Sequence, residues 1–217
     1  MGWLIPPRAH AQEMLNQKDD NGRKTGIWKG YHADGSLRYE GHFVNDRPQG
    51  VFTYYDEAGR IKATNCFDPT GRKAYHQAFD STGFKLAEGV YLNQKKDSIW
   101  TFYSAADSAV IARETYHNDI KQGLSVTYYP QNGQPAEERY YENGKLNGSW
   151  TKYFEDGTIM IQGYYENNML HGPYTTYHPN GQVQTKGQYK NDLQHGVWDF
   201  FDENGNLINT EKYQLKE

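Results

Sequence analysis

The sequence repeats itself with a period of 24 residues from Gly26 onward. The segment GSWTKYFEDG begins at Gly148, GPYTTYHPNG at Gly172 and GVWDFFDENG at Gly196. In this phase the units begin at Gly26, Gly50, Ala74, Ser98, Gly123, Gly148, Gly172 and Gly196, with one extra residue before Gly123 and one before Gly148. A fixed period of this length is typical of proteins in which each unit buries its apolar side chains against its neighbours.

Three columns of aromatic residues accompany the repeat. The first column lies five positions after each unit start and comprises Tyr31, Tyr55, Phe79, Tyr103, Tyr129 (six positions on), Tyr153, Tyr177 and Phe201. The second comprises Phe43, Phe67, Tyr91, Tyr116, Tyr141, Tyr165, Tyr189 and Tyr213. The third, two positions after the start, comprises Trp28, Phe52, Trp100, Trp150, Tyr174 and Trp198, with His76 and Ser125 as exceptions.

Only 36% of the residues are hydrophobic, so these rings must supply most of the buried surface. We therefore predict a structural aromatic ladder on one face of the fold. Its clearest members are Trp28, Tyr31, Tyr55, Trp100, Tyr103, Trp150, Tyr153, Tyr165, Tyr177, Tyr189 and Trp198.

Each unit has the pattern of a β-hairpin. A loop such as HADG or HPNG ends in Gly in seven units and in Asp107 in the other, and a second loop carries Asn-Asp, Asn-Gly or Asn-Asn. Such residues favour the positive φ angles of hairpin turns. Between loops, Val183, Thr185, Gly187 and Tyr189 alternate with polar residues, as in a strand. The pattern predicts an all-β fold, an elongated and twisted antiparallel meander of about eight hairpins.

Glycines at 41, 89, 163 and 187 lie two residues before a ring of the second column. A glycine inside a strand often marks a close approach of another group. We predict that each of them leaves room for a ring of the third column on the neighbouring strand.

The pattern G-x-W-x-x-Y-x-x-x-G, followed by G-x-Y-x-N-x-x-x-x-G, resembles the MORN repeat in its bacterial variant, best over residues 148–196. The resemblance implies a ribbon of β-hairpins that acts as a protein-binding or dimerising scaffold. Bacterial members are described as antitoxin-like, which implies interaction rather than catalysis, and lipid binding has been attributed to some MORN proteins.

Charge and motifs exclude several other classes. The net charge of −4 gives no basic footprint for nucleic acid and argues against a lipid surface. The chain has one cysteine, Cys66, and no P-loop, H-E-x-x-H or G-x-S-x-G motif. His171 and His195 share a phase in adjacent units, about 9–10 Å apart, too far to bind one metal. We predict no enzyme activity, no cofactor and no metal.

The N-terminal region differs from the repeats, so we assign residues 1–20 to a leader and residues 21–217 to a single repeat domain. Ala9-His10-Ala11 has the small-x-small pattern of a signal-peptidase site. If it is one, the protein is periplasmic, secreted or associated with an outer membrane, and otherwise it is cytoplasmic. Both alternatives remain open.

The sequence predicts a scaffold or adaptor that binds another protein, and it leaves self-association open. The alternative is a carbohydrate-binding module that uses exposed aromatic rows. The repeat degrades between residues 66 and 126, where the two extra residues predict strand bulges and where apolar residues lie outside the ring columns. We predict a partner surface there, with neutral drift as the alternative explanation. Its residues are Phe84, Leu86, Val90, Val110 and Ile111.

Overall fold

The computed structural model describes residues 14–214, which adopt an all-β fold of tandem antiparallel hairpins, as predicted. Ala9-His10-Ala11 lies outside the described residues. The chain divides into two compact units, with the boundary between Ala74 and Tyr75. Residues 14–214 contain no helix long and apolar enough to cross a lipid bilayer.

The first unit contains strands β1 to β5 and the second contains β7 to β18, while β6 (Lys73–Phe79) includes the boundary. The strands of the first unit are β1 (Gln17–Lys18), β2 (Lys24–Tyr31), β3 (Leu37–Val44), β4 (Arg47–Tyr55) and β5 (Ile61–Phe67). Those of the second unit are β7 (Lys85–Leu92), β8 (Lys95–Tyr103), β9 (Val110–His117), β10 (Ile120–Tyr128), β11 (Pro135–Glu142), β12 (Lys145–Tyr153), β13 (Ile159–Glu166), β14 (Met169–Leu170), β15 (Gly172–Tyr177), β16 (Val183–Lys190), β17 (Leu193–Phe201) and β18 (Leu207–Tyr213).

Two-residue turns join the hairpins along one edge of each unit and confirm the predicted positive φ angles. Asn191 and Asp192, for example, have φ angles of 52° and 67°. The Asp192 carboxylate accepts a hydrogen bond from the Leu170 amide at 2.7 Å, and the Asp192 amide donates to the Leu170 carbonyl at 2.9 Å. Asp46 makes the same pair of bonds with Lys24 in the first unit. Each such turn therefore fastens its hairpin to the preceding one.

The loops at the other edge absorb the two extra residues. Most of these loops have five residues, as in 154–158, whereas loops 104–109 and 129–134 have six. The prediction of strand bulges at the extra residues was wrong, since a loop can lengthen without breaking the ladder of strand hydrogen bonds. The left-handed residue of the first long loop is Ser108, with a φ of 60°, and not Asp107.

The third aromatic column packs on one face, here called the ring face, and confirms the prediction about the strand glycines. A Cβ placed on Gly187 would lie 2.2 Å from the Trp198 ring, and one on Gly89 would lie 2.4 Å from the Trp100 ring. His76 replaces an aromatic residue in this column, with its ring centroid 5.5 Å from that of Trp100.

The first aromatic column lies on the opposite face, here called the back face, so the prediction of a single aromatic face was wrong. Trp150 pairs with Arg139, whereas the Tyr153 hydroxyl donates to Glu138 at 3.0 Å. Adjacent strand residues point to opposite faces, and the third and first columns are three positions apart. In the fifth unit the column residue is Tyr128, which ends β10, whereas Tyr129 lies in the following loop.

Candidate functional site

A row of exposed apolar and aromatic side chains crosses the back face of the second unit. Ile99, Leu124, Tyr140 and Tyr164 have exposed fractions of 58%, 43%, 46% and 45%. Ile99 pairs with Thr115, Leu124 with Tyr140, and Ser149 with Tyr164. Thr115 also donates to the Leu124 carbonyl at 2.9 Å, so the first two pairs are in contact. The third pair lies next to the second, since a Cβ on Gly148, the neighbour of Ser149, would lie 2.9 Å from the Tyr140 Cβ. The back-face row therefore consists of Ile99, Thr115, Leu124, Tyr140, Ser149 and Tyr164.

The back-face row spans the six strands from β8 to β13, or about 24 Å at the usual strand spacing. Apolar side chains that form one contiguous exposed patch mark interaction surfaces more often than scattered ones do. A sequence signal for this row exists, because the residue after each unit start is apolar in six units. These residues are Ile27, Val51, Tyr75, Ile99, Leu124 and Val197.

Two of the five residues of the surface predicted from the sequence lie beside this row. Leu86 and Val90 flank Glu88, which pairs with Thr101, so all three lie on the back face of β7, next to β8. Leu86, Val90, Val110 and Ile111 are half-buried, and only Phe84 is exposed.

The tryptophan column on the ring face offers little free surface. Trp100 and Trp198 are each 2% exposed. The Lys96 ammonium lies 4.5 Å from the Trp100 ring centroid and 4.9 Å from that of Tyr116, in cation–π geometry. These two buried rings therefore serve packing, whereas Trp28 and Trp150 are half-buried.

Four donors converge on the Glu88 carboxylate at the back face. Lys85 Nζ donates at 2.8 Å, Gln77 Nε2 at 3.4 Å, and the hydroxyls of Tyr75 and Tyr103 also donate. Burial opposes ionisation of Glu88, but these hydrogen bonds outweigh it and lower its pKa to about 2. Burial together with the bond to Glu88 raises the pKa of Tyr103 to about 12.

We predict that Glu88 makes the free energy of unfolding sensitive to acid. Because its folded pKa lies below the ordinary value of 4.5, its stabilising effect is fully present above pH 4.5 and is lost as the pH falls toward 2. Glu88→Gln should therefore lower stability at pH 7 and flatten the pH dependence of the free energy of unfolding between pH 4.5 and 2. Urea denaturation across this range measures the effect.

The matched control is Glu57→Gln, which changes an exposed carboxylate in a loop of the first unit. It should leave the pH profile unchanged. Equal profiles for wild type and Glu88→Gln would contradict the role given to Glu88.

A groove opens in the second unit between loops 154–158 and 178–182. Its volume is about 410 Å³. We call it the Phe154 groove, and its walls include Phe154, Met160, Ile161, Tyr177, His178 and Pro179.

The histidines and the cysteine do not gather into a metal site. Among residues 14–214, no three His, Cys, Asp or Glu side chains are placed to hold one ion. His171 Nδ1 lies 3.5 Å from Glu166, and His195 has a buried Nδ1 that makes no hydrogen bond to described residues. Cys66 is a free, exposed thiol opposite Val51.

The repeat of one known family matches four of the hairpins in this chain. The matched segments are 24–45, 146–167, 170–191 and 194–214. Each of them contains one five-residue loop, and the first three end on the first residue of a two-residue turn. Four segments match the MORN repeat variant.

The MORN matches cover the groove but leave most of the back-face row unmatched. The Phe154 groove lies across the second and third matched segments. Most of the back-face row, including Ile99, Leu124 and Tyr140, lies between the first and second matches, where the chain departs from the MORN pattern.

Comparison with whole proteins adds nothing to this assignment. No curated protein matches the sequence. Among solved structures, the chain is similar to "Crystal Structure of TarM" with 13% identity and a TM-score of 0.26, covering 55% of this chain and 20% of that one. It is similar to "Crystal Structure of TcdB2-TccC3-Cdc42" with 11% identity and a TM-score of 0.22, covering 88% and 13%. The chain therefore spans a fifth or less of the length of these structures.

Proposed function

We propose that this protein is a non-catalytic scaffold that binds another protein through the back-face row. MORN-type repeats support a repeat-based binding role. The observation that carries the proposal is the contiguity of Ile99, Leu124, Tyr140 and Tyr164, all exposed on one face of the second unit.

The geometry of the back-face row suits a protein partner. Its side chains are held on paired strands, so little conformational entropy is lost when they are covered. Exposed tyrosines such as Tyr140 and Tyr164 combine a large apolar area with a hydroxyl that can bond at a rim, a property of residues common in binding interfaces.

The ionisable groups of the back face suit a structural role better than a catalytic one. A general acid or base works best with a pKa near the operating pH. The Glu88 carboxylate, with a pKa of about 2, is held ionised by four donors and is committed to joining β6, β7 and β8. This supports binding without catalysis.

We predict that the double variant Leu124→Glu/Tyr140→Glu loses partner binding. Two carboxylates would have to be desolvated at the centre of the interface, which costs several kcal/mol. Affinity capture from cells that produce the protein, quantified by mass spectrometry, should show at least a tenfold loss of the proteins enriched by wild type. Circular dichroism checks that the variant is folded.

The matched control is Val197→Glu, which changes an exposed apolar residue at the same repeat position near the end of the array. It should retain the captured proteins. Capture that is equal for all three proteins would refute the proposed surface.

A carbohydrate ligand remains the competing function, because Tyr140 and Tyr164 are exposed rings on one face. A glycan array read with wild type and with the double variant separates the two functions. Saturable glycan binding that the double variant abolishes would replace a protein partner with a sugar.

A further inference from the structure

The Phe154 groove has a repeat-equivalent counterpart in the first unit. A cavity of about 440 Å³ there is lined by His32, Tyr55, Asp56, Glu57, Arg60 and Lys62. Adding 122 to these numbers gives Phe154, Tyr177, His178, Pro179, Gln182 and Gln184, of which all but Gln182 line the Phe154 groove. The groove is thus a product of hairpin geometry, whereas its chemistry varies with the unit.

The two grooves differ in the residue that starts the loop. His32 bonds through Nε2 to the Tyr55 carbonyl at 3.0 Å, and His178 and Tyr129 make the equivalent bonds to Phe201 and Tyr153. Phe154 occupies the same position but has no polar atom to make such a bond. Its ring leaves an apolar wall facing Met160, Ile161 and Pro179.

The loop edge that contains the Phe154 groove is acidic. The six loops of the second unit at this edge are 80–84, 104–109, 129–134, 154–158, 178–182 and 202–206. They contain six carboxylates and no Lys or Arg, namely Asp80, Asp107, Glu155, Asp156, Asp202 and Glu203. Hydrogen bonds from Thr158 lower the pKa of Asp156, and those from Asn206 lower the pKa of Asp202, so both stay ionised in mildly acidic solution.

The spacing of the loops sets the geometry of a ligand that follows this edge. Equivalent loops are two strand spacings apart, about 9.4–9.8 Å. A polyproline II segment has three residues per turn and rises about 3.1 Å per residue, so it presents the same side every 9.3 Å. A segment lying across the strand ends would place every third side chain at a loop junction.

We propose that the Phe154 groove binds an apolar side chain of a cationic, polyproline-type segment from a partner protein. The apolar side chain enters between Phe154 and Pro179, and Lys or Arg residues of the segment face Glu155, Asp156, Asp202 and Glu203. This inference rests on the proposed scaffold function for its class of partner, but it concerns a different surface from the back-face row.

The probe is a fluorescein-labelled peptide, PLKPLKPLKP, in which leucine recurs every third residue between lysine and proline. Fluorescence anisotropy with the full chain should show saturable binding that weakens at least tenfold when salt rises from about 50 to about 500 mM, since screening shields the loop carboxylates. The peptide PLEPLEPLEP should not bind. Absence of saturable binding by PLKPLKPLKP would overturn the proposal.

Two methionines offer a matched pair of variants. Met160→Lys places a cation in the Phe154 groove and should weaken peptide binding at least tenfold, whereas Met169→Lys changes an exposed residue in β14, near the two-residue turns, and should leave it within twofold. Gln184→Lys, at an exposed position lining the groove, gives the same test if Met160→Lys fails to fold. Equal affinities for the groove variants and Met169→Lys would also overturn the proposal.

The outcomes separate this inference from the proposed function. The variant Leu124→Glu/Tyr140→Glu should bind the peptide normally while losing the captured partner. If partner capture requires the back-face row but neither the wild type nor any variant binds the peptide, the groove proposal is wrong and the scaffold proposal stands. Peptide binding that is lost in the back-face variant would place the peptide on the row and refute the groove.

Discussion

Trp198→Ala is expected to lower the free energy of unfolding by about 3–5 kcal/mol, the range for removing a large buried aromatic side chain. Trp198 is 2% exposed, and its ring lies 5.1 Å from Tyr189, 5.8 Å from Tyr174 and 6.2 Å from Tyr213. Loss of the ring therefore leaves a cavity among three other rings. Urea denaturation followed by tryptophan or tyrosine fluorescence measures the change.

The control for this prediction is Val197→Ala, one residue away on the exposed back face, which should cost less than about 1 kcal/mol. A comparison of phenylalanine variants sharpens the test. Trp100 Nε1 donates to the Val90 carbonyl at 3.1 Å, whereas Trp198 Nε1 is buried and makes no hydrogen bond to described residues. Trp100→Phe should therefore cost about 1 kcal/mol more than Trp198→Phe. A loss below about 1 kcal/mol for Trp198→Ala would show that the column is not the core.

Gly187→Ala is expected to destabilise the fold by about 3 kcal/mol or more, because one added methyl group must displace a ring in a close-packed site. Its Cβ would lie 2.2 Å from a ring carbon of Trp198. Gly163 occupies the same repeat position, but there the nearest ring atom, from Trp150, would be 3.1 Å away. Gly163→Ala should therefore cost clearly less, and chemical denaturation of the two variants in parallel measures the difference.

The two sites should also be coupled. Trp198→Ala removes the ring that the new methyl group meets, so Gly187→Ala in that background should cost little. Additive losses in the double-mutant cycle, or equal losses for Gly187→Ala and Gly163→Ala, would contradict the packing described for this column.

Local residue preferences determined most of the fold. The loop glycines and Asn-Asp turns specify positive φ angles through short-range sterics, and a period-two pattern between them specifies strands. The repeat pattern also predicted the contact between Gly187 and Trp198, because a strand glycine recurs in the units beside a ring of the third aromatic column. These features depend only on neighbours along the chain or on the next hairpin.

Strand register decided what the sequence left ambiguous. Counting along the chain aligned Tyr129 with the first aromatic column, but only hydrogen bonding places the extra residue in a loop and Tyr128 at the strand end. The same register sends the first column to the back face, since a shift of one residue in a strand reverses the side to which a side chain points.

The sequence by itself thus determined a repeat of antiparallel hairpins packed through aromatic rings, because turn residues and the alternation of apolar and polar residues are local properties. Tertiary structure decided which faces those rings occupy and which apolar residues stay exposed. Ile99, Leu124 and Tyr140 are far apart in sequence, and only the successive pairing of the strands from β8 to β13 brings them into one row. The convergence of Tyr75, Lys85 and Tyr103 on Glu88 likewise arises from strand pairing, since no local pattern links these residues.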